Sequence, residues 1–165
     1  MKKIYFLVFM VSFPIMGISQ QLNQTRINHH LSMLLPDDIE KIDTLGAITY
    51  GGTLNKGFIS AVLFNDSRGK INNGKEIETF LKGFQKGMVE TAKGTIISQT
   101  FIELKSVKVN KVLMLSDFIP NMVQWNTYTF RIDSTTYTIQ FVYPKQMEET
   151  PEEDLIIKSL EFSTQ

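Results

Sequence analysis

Two histidines, no cysteine and 17 carboxylates set the chemistry open to this chain of 165 residues. His29 and His30 are adjacent, so a regular strand would send them to opposite faces, where they cannot share a metal ion. No His-Glu-x-x-His pattern is present. The lack of cysteine excludes thiolate zinc sites, iron–sulfur clusters, disulfide scaffolds and cysteine nucleophiles. Ser60 lies in Phe58-Ile59-Ser60-Ala61, without the glycines of a nucleophile elbow. The sequence therefore assigns no catalytic residue, no metal ligand and no cofactor.

Glu148, Glu149, Glu152, Glu153 and Asp154 crowd together ahead of an apolar run, a grouping that calcium would favour. The same grouping suits a helix N-terminus, where each acid is favourable by about 0.3–1 kcal/mol. Asn65–Glu76 has the look of a calcium loop, but Lys70 stands where that loop needs glycine. Asp66-Ser67-Arg68-Gly69-Lys70 lacks the glycine spacing that cradles phosphate and reads as a solvated loop. A glycosidase-type pair needs only two acids that meet in space, so a small carboxylate-dependent envelope hydrolase stands as one alternative.

The beginning of the chain is an address. Met1-Lys2-Lys3 precedes an apolar stretch from Ile4 to Ile15, and Gly17 and Ser19 follow at the positions a signal peptidase requires. Residues 1–19 are expected to be a signal peptide cleaved after Ser19, leaving 146 of the 165 residues in the periplasm or outside the cell. That cleavage removes two of the 17 basic groups and no acid, for a net charge of −2. Neither this charge nor the pattern points to nucleic acid. No later segment is long and apolar enough to span a bilayer.

The elements follow from periodicity. Gln20–Asn28 is polar and reads as a loose leader, with a single domain over residues 29–165. Leu31, Met33 and Leu35 mark a strand stopped by Pro36-Asp37-Asp38. Ala47–Tyr50 and Phe58–Phe64 are strands, with Gly51-Gly52 as the reversal between them. Ile77, Phe80, Leu81, Phe84, Met88 and Ala92 fall on one face of a helix, with Asn73 and Glu76 as its capping box and Gly94 as its left-handed cap. Gly83 and Gly87 inside it cost about 1 kcal/mol each against alanine, which close approach to a sheet would explain.

Beyond Gly94 the chain is β-type almost to its end. Tyr128, Phe130 and Ile132 alternate on one strand and Tyr137, Ile139, Phe141 and Tyr143 on the next, joined by the loop Asp133-Ser134-Thr135-Thr136. All the rings then share one face, expected to lie under the long helix. The opposite face, Thr127, Thr129, Arg131, Thr138 and Gln140, is expected to be wet or only thinly covered. Thr150, Pro151 and Glu153 start a short closing helix. The fold class is α+β: a largely antiparallel sheet flanked by one long helix and a short C-terminal helix.

The stretches His30–Pro36, Glu76–Ala92, Val107–Tyr143 and Glu152–Phe162 together resemble the PsbP-like superfamily. The last of them carries Ile156-Ile157-Lys158-Ser159-Leu160-Glu161-Phe162, which is similar to that family's closing helix and short final strand. The resemblance implies an antiparallel sheet flanked by helices in a small exported protein, and no shared catalytic motif.

The expected function is a non-catalytic exported envelope protein, an accessory module that binds a protein or ligand. A periplasmic immunity protein against a toxin is a sharper version. The expected contact surface is the connection holding Phe118, Ile119, Met122 and Trp125, because tryptophan and methionine are enriched in interface cores. Asp43-Thr44-Leu45 and Asp133-Ser134-Thr135 match a three-residue O-glycosylation signal in expected loops.

Overall fold

The computed structural model describes residues 21–44, 46–65, 71, 74–116, 123–144 and 150–163. The expected signal peptide, the Asn73 cap, the Asp66–Lys70 loop and the side chains of Phe118, Ile119 and Met122 lie outside the described residues.

Seven antiparallel strands make the main sheet. They are β3 (Glu40–Thr44), β4 (Ala47–Leu54), β5 (Gly57–Asn65), β6 (Gly94–Leu104), β7 (Val107–Ser116), β8 (Val123–Ile132) and β9 (Thr135–Pro144), in the order β3-β4-β5-β9-β8-β7-β6. A three-stranded sheet combines β1 (Leu22–Arg26), β2 (Leu31–Pro36) and β10 (Glu161–Phe162) in the order β1-β2-β10. Among the described residues the helices are α1 (Gly74–Thr91) and α2 (Pro151–Ser159). The fold is α+β, with one long helix and a short C-terminal one.

The topology decides which face each helix covers. After β5 the chain crosses to the far edge through α1, and β6, β7, β8 and β9 then pair in sequence order until β9 meets β5. Register places Phe130 opposite Tyr137, Tyr128 opposite Ile139 and Asn126 opposite Phe141. The connecting loop is two residues long, Asp133-Ser134, because Asp133 adopts φ 51, which a tight hairpin turn requires. The sequence reading set this register two residues away, a shift that leaves every ring on its original face.

That aromatic face is not roofed by α1. Phe130, Tyr137, Phe141 and Tyr143, each no more than 1% exposed, pack against Leu31, Met33 and Leu35 of β2 and Ile156, Ile157 and Leu160 in and after α2. The Phe130 and Tyr137 rings stack at 5.2 Å.

Helix α1 lies on the opposite face. Gln85 accepts from the Thr129 hydroxyl at 3.3 Å, the Arg131 guanidinium stands 4.8 Å over the Phe80 ring, and Val89 and Ala92 pack against Val112, Met114, Val123 and Trp125. The face expected to be wet is therefore buried: Thr127, Thr129, Thr138 and Gln140 are at most 2% exposed. Alternation marks two chemically distinct faces but does not reveal whether a crossover will cover the polar one.

Other departures have local causes. The polar leader contains β1, whose register with β2 runs from Leu22 opposite Pro36 to Arg26 opposite Ser32. Strand β4 continues through Gly51-Gly52 and turns at Asn55-Lys56 instead. A Cβ on Gly51 would come within 3.0 Å of the Phe58 ring, and one on Gly52 within 3.1 Å of Ile39, so close approach is what these glycines serve. At the end of α1 the left-handed residue is Lys93, with φ 49, while Gly94 begins β6. Gly83 and Gly87 face open space and approach no strand.

Candidate functional site

Trp125 does not reach the surface. It lies in β8 opposite Met114 and Val142, is 3% exposed, and packs with Val112, Met114 and Val123 beneath the last turns of α1. By the alternation along β8 it shares the face of Thr127 and Thr129, and α1 buries that face. As part of the expected contact surface, Trp125 is corrected to a core residue.

What the surface offers is an edge. Strand β6 ends the main sheet, and no strand adjoins its outer side among the described residues. Thr95 through Thr100 are all exposed. Ile96 and Ile97 are 39% and 55% exposed, and a bulge separates Ile96 from Ser98 in the pairing with β7. From Gly94 to Ile102 there is no charged residue and no proline. The opposite edge, β3, reads Glu40-Lys41-Ile42-Asp43-Thr44, with Glu40, Lys41 and Asp43 exposed. Charges of that kind discourage strand addition, and on its uncharged stretch β6 carries none.

A second candidate is the buried acid Glu153. Its backbone N–H donates to the Thr150 hydroxyl at 3.1 Å, completing the cap, with Pro151 as the first helical residue. Its side chain does not turn back to the cap. It enters the core, fully buried, where Asn126 Nδ2 donates to both carboxylate oxygens at 3.1 and 2.9 Å and the Tyr128 hydroxyl donates at 3.0 Å. Gln124 Nε2 donates to Asn126 Oδ1 at 3.1 Å, holding that amide in place. The Tyr143 hydroxyl lies 3.2 Å from Thr150 Oγ1. Burial pushes the Tyr143 phenol well above its ordinary value of 10.0, opposed by Thr150 and reinforced by the Glu153 charge. Donors occupy the carboxylate on the sheet side and solvent does not reach it, so its work is to fasten α2 to β8.

The rest of the acidic cluster disperses. Glu152 receives the Asn55 backbone N–H at 3.2 Å, and burial raises its carboxyl above the ordinary value against that bond. Asp154 pairs with Lys158 at 2.6 Å on the exposed side of α2, while Glu148 and Glu149 lie outside the described residues. Among the described residues no three His, Asp or Glu side chains converge as metal ligands would.

His30 belongs to the interior. It is buried, with Nδ1 3.2 Å from the Ser163 carbonyl and Nε2 3.6 Å from Asp133 Oδ2, joining the small sheet to the β8–β9 turn. His29 is exposed. Of the glycosylation triplets, Asp43 and Thr44 belong to β3 rather than a loop, and Ser134 is exposed in the β8–β9 turn.

Sequence reasoning missed Gln85, a fully buried amide on the stripe Leu81–Gln85–Met88. Its position on the apolar stripe at helical spacing was the available signal. No helix among the described residues is long and apolar enough to cross a membrane.

No protein-family model and no curated protein matches the chain. A crystal structure from Bacteroides thetaiotaomicron is similar over 81% of this chain at 16% identity, with a TM-score of 0.51, and the likeness is one of fold. This chain spans 45% of that protein's length. A Pseudomonas aeruginosa protein of unknown function aligns over 80% of this chain and 85% of its own, at 9% identity and a TM-score of 0.42.

Proposed function

We propose that this chain is a non-catalytic exported module of the cell envelope, PsbP-like in character, that binds a partner protein by accepting one of its strands along β6. The observation that carries the reading is the contrast between the two edges of one sheet. The β3 edge bears three charges in five residues, and the β6 edge offers nine consecutive residues without one. Strand addition draws affinity from main-chain hydrogen bonds and selectivity from the side chains beside the added strand, and Ile96 and Ile97 are exposed there. The N-terminal lysines, apolar stretch and small residues support export. An immunity protein would use the same edge against a toxin. The hydrolase alternative gains no support from Glu153, which is enclosed.

The test uses the full chain, tagged at its C-terminus and expressed in its own host. The mature form should begin at Gln20 and fractionate with the envelope. A partner should co-purify with the wild type and be lost from Ile97→Lys, while the thermal midpoint stays unchanged. An unprocessed cytosolic chain would refute export, and equal recovery with Ile97→Lys would refute docking at β6.

A further inference from the structure

Between α1 and the sheet, four buried polar atoms have no hydrogen-bond partner among the described residues: Gln85 Nε2, Asn110 Nδ2, Thr127 Oγ1 and Trp125 Nε1. All four lie in one layer. Asn110 pairs with Thr129 across β7 and β8, Thr127 precedes Thr129 by two on the same face, and Gln85 reaches down from α1 to within 3.3 Å of the Thr129 hydroxyl. Register and the Gln85 bond thus set Gln85, Asn110 and Thr127 as neighbours of Thr129 on one face, while Trp125 lies one step further along β8. Each of the three is fully buried. Buried polar groups in folded proteins are almost always satisfied, and those the protein leaves unpaired are met by internal water.

We infer that this layer is a binding site for an internal water molecule held by Gln85, Asn110 and Thr127. The chemistry of the three groups selects the ligand. Two amide nitrogens can only donate, and they match the two lone pairs of a water oxygen. The threonine hydroxyl can accept one of the water's protons in return. A water so placed makes three hydrogen bonds, the usual number for a buried one. An anion could take both amide protons and the Thr127 proton, but it would carry its charge into a fully buried layer, whereas a neutral water does not. The other ends of the two amides are already committed: Gln85 Oε1 accepts from Thr129, and Asn110 Oδ1 accepts from Gln99 Nε2 at 3.1 Å. These bonds fix both NH2 groups toward the site. Gln99 is exposed on β6, so the chain of amides that starts at the buried layer ends at the sheet edge.

The site is tested by water-to-protein cross-relaxation in solution on the isotopically labelled chain. The wild type should show cross-peaks of long-lived water to the side-chain amide protons of both Gln85 and Asn110. Thr127→Val, of similar shape but without the hydroxyl, should weaken or abolish them, and Thr127→Ser should keep them. Absence of the wild-type cross-peaks would overturn the inference, whatever the variants do. Persistence at full intensity in a folded Thr127→Val would overturn the role given to Thr127. If Thr127→Val does not fold, Gln85→Met supplies the second arm: the Asn110 cross-peak should fall, and its persistence at full strength would count against the site. A crystal structure showing an anion at this point would replace the water and refute the assignment.

Discussion

The two faces of the seven-stranded sheet are built from different materials. One is a layer of stacked rings sealed by β2 and α2. The other is a layer of threonines and amides under α1, in which some polar groups pair and others do not. Both are equally buried, so burial alone does not distinguish them. The ring layer gains stability in proportion to apolar area, whereas the amide layer exchanges bonds to water for bonds to protein with a small net return. Helix α1 should therefore be the more weakly held helix per residue buried, and the ring face should carry most of the folding free energy.

Truncation separates the two most sharply. Phe130→Ala should lower the unfolding free energy by about 3–5 kcal/mol, because it removes a fully buried ring and leaves a cavity among Tyr137, Phe162 and their neighbours. Thr129→Ala, at the matching depth of the other face, should cost about 1 kcal/mol. Denaturant titration of both variants measures the difference, and equal losses would erase the distinction between faces.

The Glu153 fastening comes next in size. Glu153→Gln keeps the shape but sets an NH2 against one of the donors Asn126 Nδ2 and Tyr128 OH, and should cost about 1–3 kcal/mol. Tyr128→Phe removes one donor, so a double-mutant cycle of the two should show coupling on the order of 0.5–3 kcal/mol. Additive losses would mean that Glu153 acts through packing alone.

A gain is expected on the solvent side of α1. Gly83 and Gly87 are exposed, with open space where a Cβ would go, so alanine at each should stabilise by up to about 1 kcal/mol. A loss measured by thermal unfolding would show that something covers that side of the helix.

The smallest effect appears only in alkali. Burial raises the phenols of Tyr137 and Tyr143 above 10.0 in the folded chain. The folded state therefore keeps protons that the unfolded state gives up. The stability they contribute is complete below pH 10 or so and is lost as pH rises from there toward the folded values. Absorbance titration should show these two phenols ionising late, together with loss of the fold. Early, reversible ionisation of both would place them nearer solvent.

Much of this division was legible in the chain. The alternation from Tyr128 to Tyr143 identified the ring face despite a loop misjudged by two residues, because a shift of two preserves sidedness. The α1 stripe and the Thr150–Pro151 cap were equally plain, since both rest on local spacing. Which face α1 would cover was not local information. It depends on β5 pairing with β9 across the whole β6–β8 excursion, and with it went the burial of Trp125 and of the threonines. Strand β1 escaped notice because Leu22-Asn23-Gln24-Thr25-Arg26 is polar and is ordered by β2 beside it. Glu153 was visible as a capping residue, but its helix position says nothing of Asn126 and Tyr128, which meet it from another element.

The sidedness of the sheet is tested most directly by a methyl and aromatic NOE map of the mature chain. Contacts from the Leu81 and Val89 methyls should run to the Thr127, Thr129 and Val112 methyls, and those from Ile156 to the ring layer. Contacts from Leu81 or Val89 to the Phe130 or Phe141 rings would put α1 on the aromatic face and contradict the arrangement described.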